Sequence, residues 1–187
     1  MKTVIRMLIT LSIIGVVSGA LLSEISNWAA PKIEMHRKAA TEQAIYIVQP
    51  DAKDYKKIET VDFELYKVFD GEKNAIGYAL PFEGNGFQGK IRLMIGVKSD
   101  LKELVGLEIL EQSETPGLGT KVTEEPYTSQ FKELIAEPQV EWVKGVAPSK
   151  PNEIQAVTGA TISSKSVVQI INDGLTKLRS AEEGGNL

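Results

Sequence analysis

The chain has 187 residues, 42% of them apolar, no cysteine and a formal charge of −4 at neutral pH. Length and composition fit one ordinary domain with a short appendage, and the missing thiols exclude thiolate zinc centres, iron–sulfur clusters, disulfides and cysteine nucleophiles. With Lys2 and Arg6 set aside, residues 23–187 hold 19 basic and 25 acidic side chains, a balance that argues against nucleic acid as a partner.

In chain order, the first predicted element is an apolar span. Residues 7–22 read MLITLSIIGVVSGALL without a charge, and Thr3 to Ser23 is interrupted only by Arg6. At about 1.5 Å per residue the longer stretch is roughly 31 Å, close to the thickness of a bilayer core. We read residues 1–30 as a membrane anchor and residues 31–187 as the domain it carries. Ser18-Gly19-Ala20 also resembles a small-residue cleavage site, so a removable signal peptide is the competing reading. Basic residues flank the span on both sides, but a short basic tail followed at once by an apolar run suggests an N-inside anchor, with residues from about Glu24 outside.

Pro31 suits the first turn of a helix to about Val48, with Ile33, Ala40, Ala44 and Ile47 near helical spacing and Pro50 beyond its end. Strand-like runs follow at Val61–Val68, closed by Asp70-Gly71, then at Ala75–Phe82, Gly89–Val97 and Leu104–Leu110. Gly86-Phe87-Gln88-Gly89 reads as a hairpin with a core phenylalanine. A short helix is predicted near Ser129–Ile135 and an extended piece at Val140–Val143. A long terminal helix is predicted from about Ile162 to Arg179, where Val167, Val168, Ile171, Leu175 and Leu178 form one core-facing stripe. The pattern is that of an α+β fold: an antiparallel sheet and a long C-terminal helix behind a single apolar N-terminal helix.

Two loops stand out. Glu114-Thr115-Pro116-Gly117-Leu118-Gly119 follows a strand and carries two glycines, so its backbone can approach another group closely. Thr158-Gly159-Ala160-Thr161-Ile162-Ser163-Ser164 crowds hydroxyls at a helix entrance, whose unpaired N–H groups and partial positive charge favour a phosphate. One hydroxyl, on Thr158 or Thr161, would be enough to cap the helix. The single histidine, His36, has no second ligand at metal-binding spacing, and no catalytic triad or Walker loop is present.

The TGATISS segment closely resembles the flavinylation motif of FMN-binding subunits of ion-translocating electron-transport complexes, and ETPGLG is similar to that family's second signature. The G subunits of Rnf complexes match best; the C subunits of sodium-translocating NADH:quinone oxidoreductases are similar but longer. The resemblance implies FMN held covalently by a phosphoester on Thr161. It implies that Gly159 and Ala160 leave room for the flavin phosphate and that Ser163 and Ser164 hydrogen-bond its oxygens, with Thr158 and Ile162 in the same site. Glu114, Thr115, Leu118 and Gly119 would line the isoalloxazine or ribityl side, and Gly86–Gly89 would form a neighbouring wall. It further implies a flavin transferase that installs FMN from FAD and other subunits of an Rnf-type complex as partners. The complex would couple ferredoxin:NAD electron transfer to movement of Na+ or H+, with the domain on the extracytoplasmic side of the cell membrane. No catalytic residue and no metal ligand is implied. A non-redox anchored scaffold, with both motifs serving only as turns and caps, is the alternative from outside this class.

Overall fold

The computed structural model describes residues 1–187 and divides into two units, Met1–Ala40 and Thr41–Leu187. The first unit is helical. Helix α1 runs without a break from Lys2 to Val48, with Pro31 inside it rather than at its start. Ala29 and Ala30 before the proline, and good helix formers such as Lys32, Glu34, Met35, Arg37, Lys38, Ala39 and Ala40 after it, sustain the helix across the lost N–H. Near its N-terminus α1 has a window with a mean hydropathy of 2.1 and none of its residues buried, so the helix is long and apolar enough to cross a membrane.

In the second unit the last two turns of α1 bury Thr41, Ala44, Ile45 and Val48, an i, i+3, i+4, i+7 stripe. Ile33 and Ile47, expected on that stripe, are exposed. The strands are β1 (Asp54–Lys57), β2 (Tyr66–Phe69), β3 (Ala75–Asn85), β4 (Lys90–Lys98) and β5 (Glu103–Gln112). A 3-10 turn over Gly119–Thr123 leads into the one-turn helix α2 (Glu125–Thr128), followed by β6 (Leu134–Ile135), β7 (Glu141–Val143), β8 (Glu153–Gln155) and helix α3 (Thr161–Glu183). Strands β1 to β6 form one antiparallel sheet in sequence order, and β7 pairs with β8 in parallel. The fold is the expected α+β arrangement, with corrections in its short elements. The Val61–Val68 run is a strand only in its last three residues, β1 and β8 carry no strong apolar alternation to announce them, and Ser129–Ile135 is a 3-10 turn followed by a strand rather than a helix.

The pleat explains how the sheet is covered. Ile91, Leu93, Ile95 and Val97 of β4 alternate onto one face and join Val167, Val168, Ile171, Leu175 and Leu178 of α3 in the main core, as period-two and period-3.6 patterns require. Met94 points to the other face and packs with Ala44, Ile45 and Val48 of α1. Pro81 falls where β3 has outrun β2, whose register ends at Tyr66–Ala79, so β3 is an edge strand there and proline is tolerated. Core packing therefore fixes the entrance of α3 beside the β3–β4 hairpin and the segment after β5.

Candidate functional site

Strand β8 delivers the chain to the entrance of α3. Its exit is held by Gln130, whose amide oxygen accepts from the Gln155 N–H at 2.7 Å and whose amide nitrogen donates to the Gln155 carbonyl at 3.2 Å. The Ala156 N–H donates to the Val143 carbonyl at 2.9 Å, so the segment after β7 runs beside the segment after β8. The chain then turns sharply. Ala160 N–H donates to the Val157 carbonyl at 2.9 Å, and Gly159 has φ +86°, a conformation that favours glycine.

Helix α3 begins at Thr161 with Ala160 as its N-cap, and no side chain caps it. The capping job available to Thr158 or Thr161 is thus taken by neither. Ser164 does different work. Fully buried, its Oγ accepts from the Val157 N–H at 3.1 Å, and its carbonyl accepts from the Tyr127 hydroxyl at 3.1 Å. Burial pushes the Tyr127 phenol far above its ordinary value, so it stays a donor.

The segment after β5 contributes a buried carboxylate. Glu114 is 4% exposed. One of its oxygens accepts from the Phe87 and Gln88 N–H groups at 2.8 and 3.1 Å, and the other accepts from the Ser163 hydroxyl at 2.5 Å. This carboxylate ties the β3–β4 hairpin, the 114–119 loop and the first turn of α3 together. Two glycines leave it room: a Cβ at Gly119 would stand 2.7 Å from Glu114 Cβ and 3.0 Å from Ser163 Oγ, and one at Gly86 would collide with Glu114 Oε1. Thr115 adds a link by donating to Gln88 Oε1 at 2.8 Å.

Between these segments lies a cavity of about 600 Å³, within the usual range for small-molecule sites. Phe87, Leu118 and Ile162 give it apolar walls, and Thr115, Thr158, Thr161 and Ser163 give it hydroxyls. Gly119, Gly159 and Ala160 keep the backbone close to the space, while Lys144, Gly145 and Ala156 close the side next to β8. No cluster of His, Asp or Glu could hold a metal ion.

Of the residues singled out in the sequence, Thr115, Leu118, Gly119, Thr158, Gly159, Ala160, Thr161, Ile162 and Ser163 line the cavity together. Glu114 and Ser164 do not line it; both lie behind the wall and hold it in shape. The Ser163 hydroxyl donates its one proton to Glu114 and has none left for a phosphate. The 86–89 hairpin forms as expected, closed by Gly86 N–H to the Gly89 carbonyl at 2.7 Å, but Phe87 is 62% exposed and faces the cavity instead of the core. No sequence signal marks Lys144 and Gly145: they follow a three-residue strand and belong to no motif, and Lys144-Gly145 before a polar, proline-rich stretch reads only as a turn.

Residues 86–176 match the model of the FMN-binding domain family. The chain is 27% identical to the G subunit of the ion-translocating oxidoreductase complex of Methanosarcina acetivorans, with 98% of each chain aligned. It is 29% identical to the G subunit of the Na+-translocating ferredoxin:NAD+ oxidoreductase complex of Acetobacterium woodii, over 91% of this chain and 89% of that one. Against the C subunit of the Na+-translocating NADH-quinone reductase of Vibrio vulnificus it is 34% identical over 70% of its length, spanning 54% of that relative. Two solved structures share the fold. The crystal structure of Shewanella oneidensis NqrC superposes with a TM-score of 0.54 at 21% identity, covering 71% of this chain and 74% of that one. The C subunit of the Na+-translocating NADH-quinone reductase of Parabacteroides distasonis gives 0.55 at 24%, covering 63% and 61%.

Proposed function

Because residues 86–176 belong to the FMN-binding domain family, we propose that this chain is a membrane-anchored electron-relay subunit with FMN attached as a phosphoester on Thr161. The observation that carries this reading is a threonine hydroxyl at an uncapped helix N-terminus inside a cavity of flavin size. The residues fit the group. The free N–H groups at the start of α3 favour a phosphate, Gly159 and Ala160 leave it space, and Phe87, Leu118 and Ile162 offer apolar cover for a ring system. Bound there, FMN would supply reversible one- and two-electron redox chemistry. The protein's own part is to hold the phosphate end at Thr161, shield the ring from water and leave one side of the cavity reachable by partner redox proteins.

In this reading a separate flavin transferase installs FMN from FAD, so the chain is a substrate of that reaction and needs no catalytic residue for it. Residues 1–30 anchor the chain, and residues 31–187 form the domain on the extracytoplasmic side. The complex is of Rnf type, coupling ferredoxin:NAD electron transfer to Na+ or H+ movement, as the names of the G-subunit relatives suggest. One spanning helix makes no ion pathway, so translocation belongs to other subunits. The test is the intact mass of protein purified from membranes after coexpression with a flavin transferase. One FMN adduct that survives denaturation is expected. A protein of unmodified mass with no flavin fluorescence on a denaturing gel would favour the scaffold reading.

A further inference from the structure

We propose that Lys144 pairs with the flavin phosphate and gives the cavity a preference for phosphorylated flavin that does not depend on the covalent bond. The inference rests on the flavin reading of the cavity. Lys144 is the only ionisable side chain among the residues that line it, and no carboxylate lines the cavity to neutralise it. Glu114, behind the wall, is buried with both oxygens already accepting hydrogen bonds. The neighbouring basic residue of the same connection, Lys150, is committed to Glu141 at 2.6 Å and Glu153 at 3.2 Å, whereas Lys144 has no carboxylate partner.

Its place in the fold points it to one end of the ligand. The Ala156-to-Val143 hydrogen bond sets Lys144 beside the strand end that turns, three residues later, into Gly159-Ala160-Thr161. The apolar side chains Phe87 and Leu118 come from the hairpin and the 114–119 loop, which are other parts of the chain. A compact ammonium on a flexible stem is a good point charge for a phosphate, and the uncapped N-terminus of α3 adds its own positive potential at the same end. The neutral ring of oxidised flavin offers Lys144 no comparable partner.

The experiment uses the full chain in detergent, expressed without a flavin transferase, and compares free FMN with riboflavin by fluorescence titration. Wild-type protein should bind FMN at least tenfold more tightly than riboflavin, and that preference should shrink as salt screens the pair. Lys144→Met should weaken FMN about tenfold and leave riboflavin unchanged, and Lys144→Arg should restore most of the loss. Equal or undetectable affinity for both ligands in wild type overturns the proposal, as does an equal loss for both in Lys144→Met, which would put the lysine at the ring. Intact mass after coexpression with the transferase keeps the two claims apart. An adduct on wild type without FMN preference rejects the role of Lys144 alone, and absence of any adduct together with no binding of free FMN or riboflavin rejects the flavin reading beneath it.

Discussion

The two walls of the cavity are built in opposite ways. The wall made by the 86–89 hairpin and the 114–119 loop is braced by a buried carboxylate with three hydrogen bonds and by glycines that give way to it. The wall made by residues 144–145 and 158–162 lines the cavity with unengaged threonine hydroxyls and a lysine, and its helix starts without a side-chain cap. One wall uses its polar groups to hold its own shape, and the other leaves them for a ligand. A polar residue in a signature motif is therefore not by that fact a ligand contact; what decides is whether its donors and acceptors are already engaged.

The largest expected effect on stability tests the braced wall. Glu114→Ala strands two N–H groups and the Ser163 hydroxyl, and hydrogen bonds to a charged group contribute about 1.5–3 kcal/mol each, so a net loss of roughly 3 kcal/mol or more is expected in denaturant unfolding. Glu114→Gln keeps an acceptor for the hairpin and should lose about half as much. If Glu114→Ala melts like wild type, the carboxylate is not a brace and the contrast between the walls fails. Gly119→Val comes next. Its Cβ would press on Glu114 Cβ and Ser163 Oγ, and overpacking of this kind costs about 1–3 kcal/mol, seen as a lower Tm together with disturbed flavin absorbance. Gly117→Ala is a useful contrast. Gly117 has open space around it and φ +73°, so its cost is backbone strain of about 1 kcal/mol with little change at the flavin.

A smaller effect concerns the open wall, which has a clamp of its own outside the cavity. Glu153 accepts from the Ser149 N–H, the Lys150 N–H and the Ser149 hydroxyl and pairs with Lys150. Chiefly the backbone bond from Ser149 holds its carboxyl down at about 2. A depressed carboxyl contributes stability that is complete above its unfolded value and fades as pH falls through the folded one. Thermal stability should therefore be level above about pH 5 and decline toward pH 2, with a shallower decline in Glu153→Gln. The smallest effect on stability is expected from Phe87→Ala, within about 0.5 kcal/mol because the ring is exposed. The same change should nevertheless shift the flavin spectrum and raise its accessibility to quenchers. A large loss of stability with an unchanged spectrum would return Phe87 to the core role expected from sequence.

What was legible in the sequence follows from how each signal is encoded. The α3 stripe and the long strands β3, β4 and β5 repeat a period often enough to be read, and the two motifs named most of the cavity because their residues are adjacent in the chain. Strands β1, β6 and β8 have two to four residues each, too few for a period to show, and they form because the neighbouring chain presents partners, whereas β7 falls on the extended piece expected at Val140–Val143. Lys144 reaches the cavity only through the β7–β8 pairing. Glu114 and Ser164 stand out in the sequence, but their task depends on hydrogen bonds to residues 26 to 49 positions away for Glu114, and for Ser164 on a hydroxyl bond 7 positions away and a carbonyl bond 37 positions away, which local pattern does not carry. Pro31 misled for a related reason: a proline marks a helix start by local rules, yet strong helix formers on both sides carry α1 through it.

On the proposed reading Thr161 carries the flavin because its hydroxyl stands unengaged at the uncapped start of α3; the Thr158 hydroxyl on the same open wall is unengaged too but precedes the helix, while Ser163 and Ser164 are engaged in structure. Fragment-ion mapping of the flavinylated peptide, from protein coexpressed with its transferase, tests this most directly. All of the adduct should sit on Thr161, and Thr161→Ala should carry none while losing no more than about 0.5 kcal/mol of stability, since this threonine does not cap the helix. Flavin mapped to Thr158, Ser163 or Ser164, or a normal yield of covalent flavin in Thr161→Ala, would contradict the account.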